Sequence, residues 1–91
     1  MAVTVKLPTQ LRAAAGGSAE AEVDGATVGE VLDDLFERYT ELRDRISEDD
    51  GSLRRFVNVY VEGEDIRFLD GLETPVADGG EVTILPAVAG G

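Results

Sequence analysis

Alternation of apolar and polar residues marks two strands near the start of the chain. In VTVKL, at positions 3–7, every second residue is apolar, which is typical of a strand with one buried face. The run AEAEV, at positions 19–23, alternates in the same way. Gly16 and Gly17 between the two runs signal a turn. The segment therefore predicts a β-hairpin.

The next pattern has the period of a helix. The tetrapeptide TVGE is a capping box: the Thr27 hydroxyl can accept a hydrogen bond from a first-turn amide, and Glu30 can reach back to the Thr27 amide. Apolar residues then recur at spacings of three and four, which predicts one amphipathic helix with this stripe in the core. The stripe comprises Val28, Val31, Leu32, Leu35, Phe36, Tyr39 and Leu42.

Alternation returns in the second half of the chain. FVNVYV, at positions 56–61, is apolar on both faces and predicts an interior strand. EGE, at positions 62–64, predicts a turn, and Ile66 and Phe68 alternate with polar residues in a short strand that follows. A loop over residues 69–80 leads to a last strand at 81–85. In that strand Val82 and Ile84 should face the core, and Thr83 and Leu85 the opposite side.

This order of elements predicts an α+β fold. A hairpin, one main helix and later strands are compatible with a β-grasp, in which the helix packs on one face of a mixed sheet of four to five strands. The last strand then runs centrally, beside the first. A chain of 91 residues holds one such domain, at 1–86, with a C-terminal tail, 87–91, projecting from it.

Composition narrows the classes of function. Eight Lys and Arg against 19 Asp and Glu give a net charge of −11, which disfavours nucleic acid as a partner and favours a soluble monomer. With no His and no Cys, the chain lacks the usual nucleophile systems and zinc ligands, so we expect no catalysis of its own and no metal. The acidic run SEDDGS would place Ile46 at the first position of a calcium loop, and is therefore interpreted as a solvated loop.

The sequence contains no apolar run long enough to span a membrane and no secretory leader. We therefore expect no membrane association and a cytoplasmic location.

Three segments carry a resemblance to a known family: VTVKLPTQLR, RFVNVYVEGEDIRF and VADGGEVTILPAVAGG. The similarity covers essentially the whole chain, which resembles the ubiquitin-like sulfur carriers of the ThiS and MoaD type. Within that family it is most similar to the carriers of actinobacterial cysteine synthesis. The resemblance implies a ubiquitin-like β-grasp whose Gly-Gly end carries the chemistry.

In this family the C-terminal carboxylate, here that of Gly91, is adenylated and converted into a thiocarboxylate. The resemblance therefore implies that the tail residues Ala87, Val88, Ala89 and Gly90 thread into partner active sites. The implied partners are an E1-like adenylyltransferase/sulfurtransferase, a PLP-dependent cysteine synthase and a zinc-dependent, deubiquitinase-like peptidase. Mg-ATP, PLP and zinc would belong to those enzymes, and the carrier itself would bind none of them tightly.

Family members also use the sheet face away from the helix to bind partners, and four residues are candidates for that surface. They are Phe56, Phe68, Leu85 and Pro86. Each of them could equally be core, and sequence alone does not decide. Arg54 and Arg55 could mark a partner-facing edge or simply offset Asp49 and Asp50 in solvent.

Other functions stay open at this level. The sulfur acceptor could belong to molybdopterin, thiamin thiazole or natural-product synthesis. The activated Gly91 could instead be joined to lysines, as in a ubiquitin-like protein modifier. A third class is an interaction module to which the Gly-Gly end is incidental.

Overall fold

A mixed β-sheet with helices on one face organises the chain, and the computed structural model describes it over residues 2–54 and 57–86. The strands are β1 (Ala2–Lys6), β2 (Glu20–Asp24), β3 (Val57–Val61), β4 (Glu64–Asp65) and β5 (Glu81–Pro86). The helices are α1 (Thr9–Arg12), α2 (Val28–Arg38) and α3 (Thr40–Ile46), with 3₁₀ turns at Ala13–Ala15, Ile66–Phe68 and Gly71–Glu73. The strand order β2-β1-β5-β3-β4 is that of the predicted β-grasp, which is thereby confirmed.

The first two strands pair as predicted. β1 lies antiparallel to β2, with Val3 opposite Val23 and Val5 opposite Ala21, all four side chains being buried. The connection is more than a turn, because α1 and the Ala13–Ala15 turn precede Gly16. This segment buries Leu11 and Ala15, which are four residues apart and so lie on one helical face.

The helix begins where the capping box predicts it. The Thr27 hydroxyl accepts a hydrogen bond from the Glu30 amide at 3.2 Å. The reciprocal bond is shifted by one residue, since Glu30 Oε1 accepts from the Ala26 amide at 3.0 Å and not from that of Thr27. The prediction of the start was right, and that of the second bond was wrong by one position.

The predicted single helix is interrupted at Tyr39. The backbone there has φ −135° and ψ 84°, outside the helical region, so α2 ends at Arg38 and α3 begins at Thr40. α2 packs against β2, whereas α3 packs against the Ala13–Ala15 turn. Leu35 in α2 and Leu42 in α3, on either side of this break, are both fully buried.

β5 occupies the centre of the sheet. It runs parallel to β1, with Thr83 opposite Lys6, and antiparallel to β3, with Thr83 opposite Tyr60. The strand is one residue longer than predicted and includes Pro86, opposite Val57. Glu62 donates its amide hydrogen to the Glu81 carbonyl at 3.1 Å. Because hydrogen-bonded pairs alternate along antiparallel strands, Val57 and Pro86 form a pair that requires no amide donor from the proline.

The strand predicted through Phe68 is wrong after Asp65. At the preceding turn, Glu62 and Gly63 have φ values of 50° and 84°, as a type I′ hairpin turn requires. The Asp65 carboxylate then accepts the Arg67 amide hydrogen at 2.9 Å, and the chain continues as a 3₁₀ turn. Such a side-chain bond to the backbone competes with strand pairing.

The acidic segment SEDDGS forms the predicted loop. Glu48, Asp49 and Asp50 are exposed, and Gly51 has a φ of 89°. The Asp50 carboxylate accepts hydrogen bonds from both the amide and the hydroxyl of Ser52, which lowers the pKa of Asp50. Its hydrogen bonds thus close the loop on itself.

Candidate carrier terminus and docking face

The residues predicted to carry the chemistry lie outside the described residues. These are Ala87, Val88, Ala89, Gly90 and Gly91. Phe56, one of the candidate surface residues, and Arg55 also lie outside them. The structure therefore describes the strand that leads to the tail and the surface around that strand.

The surface around β5 is the sheet face opposite α2, which we call the outer face. Val82 and Ile84 point to the α2 side and are fully buried. The alternate residues Thr83 and Leu85 lie on the outer face. Their partners across the strand pairs share that face, and they are Lys6 and Tyr60 opposite Thr83, and Asn58 opposite Leu85.

The exposed fraction of the side chains shows whether two of the four candidate residues belong to the core or to the surface. Phe68 is 84% exposed and Leu85 is 43% exposed, so neither belongs to the core. Leu85 lies on β5, whereas Phe68 follows β4, two strands away, or about 10 Å across the sheet. Pro86 is the last residue of β5.

Leu69, 39% exposed, is a third exposed apolar residue that sequence reasoning missed. Its signal was weak, because it follows a run that was assigned to a strand. Asn58, Tyr60 and Lys6 were also missed as outer-face residues. Their signal was available, since each alternates with buried valines of its own strand.

An ion pair joins two central strands on the outer face. Lys6 Nζ on β1 lies 3.3 Å from Glu81 Oε2 on β5. Both side chains are close to half exposed, so the pair adds little to folding stability. Its effect is to hold the lysine amine at a defined place beside β5.

A second ion pair lies at the β4 edge of the sheet. The Arg67 guanidinium binds the Asp65 carboxylate through Nε at 3.2 Å and through a terminal nitrogen at 2.7 Å. These hydrogen bonds hold the pKa of Asp65 below its usual value and raise that of Arg67. They also fix the turn from which Phe68 projects.

Arg54 was a candidate for a partner-facing edge. Its Nε donates to the Asp44 carbonyl at 2.6 Å, and its Nη1 lies 3.1 Å from Glu48 Oε1. It therefore pairs with Glu48 and not with Asp49 or Asp50. Since its guanidinium is used within the chain, nothing marks it as a docking residue.

Within residues 2–54 and 57–86, no group of three or more His, Cys, Asp or Glu side chains could hold a metal ion. No helix in this part of the chain is both long enough and apolar enough to cross a membrane.

Comparison with protein families shows the family to which the chain belongs. The model of the ThiS family matches residues 5–91, from β1 to the final glycine. The chain belongs to the ThiS family. The resemblance noted from the sequence is thereby confirmed, and it extends through the Gly-Gly end.

Two relatives in this ThiS-family group carry the same name. The chain is 50% identical to the sulfur carrier protein CysO of Mycobacterium tuberculosis over 93 residues, covering all of both chains. It superposes on a chain of the Amycolatopsis orientalis BexX/CysO complex with a TM-score of 0.89 and 50% identity, covering 98% of this chain and 99% of that one.

A third similar structure has a different name. The crystal structure of SAMP1 from Haloferax volcanii has a TM-score of 0.86 and 35% identity to this chain, with all of both chains covered. The small archaeal modifier protein 1 (SAMP1) from Methanosarcina acetivorans has a TM-score of 0.87 and 41% identity, covering 99% of this chain and 96% of that one. The β-grasp is thus shared between relatives named as carriers and relatives named as modifiers.

Proposed function

We propose that this chain is a sulfur carrier whose C-terminal Gly91 is converted into a thiocarboxylate that donates sulfur, and that it serves cysteine biosynthesis. The observation that carries the proposal is the family match through Gly91, together with 50% full-length identity to a sulfur carrier protein named CysO. We further propose that the chain is a cytoplasmic monomer that supplies sulfur as a co-substrate and performs no catalysis itself.

The chemistry must begin with activation of the C terminus. An α-carboxyl group has a reference pKa of roughly 3.3 to 3.7 and is therefore a carboxylate at neutral pH, which is a poor electrophile. A partner of the E1-like class would transfer AMP from Mg-ATP to this carboxylate. Attack by a sulfur donor would then expel AMP and leave the thiocarboxylate.

The position of β5 suits this role. The strand pairs with β1 over Glu81–Thr83 and with β3 as far as Pro86, so β3 holds the end from which the tail leaves. The five residues 87–91 can reach at most about 17 Å from the end of β5. Gly90 and Gly91 have no Cβ, so this end of the chain fits a channel too narrow for side chains. We propose 1–86 as the folded domain and 87–91 as its working tail.

The later partners would act on the same terminus. A PLP-dependent cysteine synthase would receive the sulfur, and a zinc-dependent, deubiquitinase-like peptidase would release the product. We assign Mg-ATP, PLP and zinc to these partners. For zinc, the assignment agrees with the lack of His and Cys in the chain, which are its usual ligands.

The outer face is proposed as the docking surface. Leu85 is exposed on β5, the strand that continues into the tail, so a partner that grips it also guides the terminus. Phe68 offers a second apolar anchor beyond β4. Phe56 and Pro86 are retained as candidates because each adjoins the Val57–Pro86 end of the β3–β5 pair.

A second candidate function is supported by the likeness to SAMP1. If the activated Gly91 is passed to lysines of other proteins, the chain acts as a ubiquitin-like modifier. Both roles need the same activated terminus, and they differ in whether sulfur or an amine receives it. Carriers for molybdopterin, thiamin thiazole or natural-product pathways differ only in the later partner.

The decisive measurement is the intact mass of the protein purified, without a C-terminal tag, from its own host. We expect one oxygen replaced by sulfur, or a cysteine added to Gly91. Protein ladders on a denaturing gel would instead favour the modifier. An unmodified carboxylate that also resists ATP-dependent loading by a cognate activating enzyme would overturn both roles.

A matched pair of variants tests the terminus itself. Deleting Gly90 and Gly91, or appending one alanine after Gly91, should abolish thiocarboxylation, because the reacting carboxyl is removed or displaced. The thermal unfolding midpoint should not change, since residues 87–91 follow the last strand of the sheet. Normal sulfur loading of either variant would contradict the proposal.

A further inference from the structure

The chain has an unusual shortage of nucleophilic side chains. It contains no Cys and no His, and seven of its eight basic residues are Arg, which leaves Lys6 as its one lysine. An arginine side chain stays protonated in proteins and does not act as an amine nucleophile. The amines available within the chain are therefore the Lys6 side chain and the N-terminal α-amine.

Lys6 lies on β1, the strand next to the one that leads to the tail. It is on the outer face of β1, directly opposite Thr83 on the parallel strand β5, and its side chain is 47% exposed. From Thr83 to Pro86 the strand advances about 10 Å. The tail of five residues spans up to about 17 Å, so its length is sufficient for Gly91 to reach Lys6 of the same molecule.

The ion pair with Glu81 directs the amine the other way. Glu81 lies opposite Thr4, two residues before Thr83 and therefore farther from Pro86. At 3.3 Å from Nζ, its carboxylate draws the amine back along β5, away from the tail. Glu20 on β2 is directly opposite Lys6 and is a second acidic residue near it.

We infer that Lys6 is the one side chain of this protein that its own activated C terminus can acylate, and that Glu81 restrains this side reaction. The inference rests on the proposed function, because only a carrier with an activated Gly91 is exposed to it. A lysine amide would consume the terminus that the sulfur needs.

The reaction is a simple acyl transfer. The Lys6 amine leaves Glu81, releases a proton to solvent and attacks the Gly91 carbonyl carbon through its lone pair. A C–N bond forms, and the bond to the leaving group breaks, with the electron pair going to a thiolate or to AMP. No oxidant or reductant takes part, and the product is a Gly91–Lys6 amide.

The test uses full-length protein bearing a chemically installed thioester on Gly91, so that no activating enzyme is needed. It is incubated in mildly alkaline buffer, because only an unprotonated amine has the lone pair needed to attack the thioester. Intact mass then separates the hydrolysed acid from the amide product, which is one water lighter or a dimer. Peptide mapping locates the bond, and we expect it at Lys6.

Three variants complete the test. Lys6→Arg keeps the positive charge and should abolish the side-chain amide. Glu81→Gln should speed its formation by about two- to fivefold, the factor expected on losing an exposed ion pair. Glu20→Gln is the control, since it removes the same charge from the neighbouring strand without breaking the Lys6–Glu81 pair, and should leave the rate near that of the wild type.

Hydrolysis alone, or an amide only at the α-amine, would overturn the assignment of Lys6. Equal rates for wild type and Glu81→Gln, or the same increase in Glu20→Gln, would overturn the role of Glu81. Neither result changes the outcome of the sulfur-loading experiment, because the thioester is installed chemically, without the partner enzymes. Likewise, failure of enzymatic loading would leave the reactivity of Lys6 as measured.

Discussion

Neighbouring residues on the two faces of β5 differ in their burial and therefore in what they contribute to the protein. Val82 and Ile84 point towards α2 and are completely buried, whereas Leu85 points outward and is 43% exposed. The inner residues stabilise the fold through burial. The outer ones contribute little to it and remain available for a partner, so stability and docking should be separable by mutation one residue at a time.

The contrast extends beyond β5. The inner face is a continuous core of aliphatic side chains from the sheet and from α2 and α3. The outer face carries Thr83, Asn58 and Tyr60, the exposed Lys6–Glu81 ion pair and a single leucine on its central strand. Four predictions follow from this difference, the largest effect first.

Replacing Ile84 by alanine should lower the free energy of unfolding by about 2–5 kcal/mol, because it removes a fully buried side chain from the centre of the core. Urea denaturation measures the change. The adjacent Leu85→Ala is the matched control and should change stability by no more than about 0.5 kcal/mol. Similar losses for the two variants would break the comparison between the faces.

Leu85→Ala should instead weaken docking. We expect kcat/KM for loading by the activating enzyme to fall about tenfold, the effect of truncating an apolar anchor at an interface. Phe68→Ala tells how far the docking surface extends across the sheet. If Phe68→Ala alone lowers the rate, docking centres on the Ile66–Phe68 turn, and if neither variant does, the outer face is not the docking surface.

Thr27→Ala tests how much the N-terminal cap of α2 contributes to the free energy of unfolding. It removes the hydroxyl that accepts the Glu30 amide hydrogen and should lower the free energy of unfolding by about 1 kcal/mol. Thr27→Ser keeps the acceptor and should recover most of the loss. Loading kinetics of the folded protein should be unchanged, because the cap lies on the side of α2.

Asp65→Asn probes the outer edge, and its effect should be the smallest. Hydrogen bonds from Arg67 lower the pKa of Asp65 in the folded state, so the ionised carboxylate stabilises the fold. That contribution is fully present above the unfolded pKa of about 3.9 and disappears as the pH falls through the lower folded value. The difference in unfolding free energy between wild type and Asp65→Asn should therefore shrink below about pH 4.

Denaturation curves at neutral pH and in acid give this difference directly. A gap between wild type and variant that is constant with pH would mean that the Asp65–Arg67 pair does not contribute through ionisation. A gap that widens in acid would reverse the sign of the argument.

The amino-acid sequence by itself determined the α+β class, the alternation of buried and exposed residues in β1, β2 and β5, the helix start at Thr27, and the family to which the Gly-Gly end belongs. The first three features depend on local periodicity and on one side-chain bond, which involve only neighbouring residues. The family depends on three segments, at 3–12, 55–68 and 76–91, which can be recognised without the fold.

Only the tertiary structure decided the rest. The turn at Ile66 comes from a local bond, in which the Asp65 carboxylate accepts the Arg67 amide hydrogen, but its outcome against strand pairing made Ile66 core and Phe68 surface. After the break at Tyr39, α3 packs against residues 13–15, far away along the chain. The meeting of Lys6 with Glu81 required β1 and β5 to lie side by side in one register. These last two features depend on contacts between residues distant in sequence, which no local pattern contains.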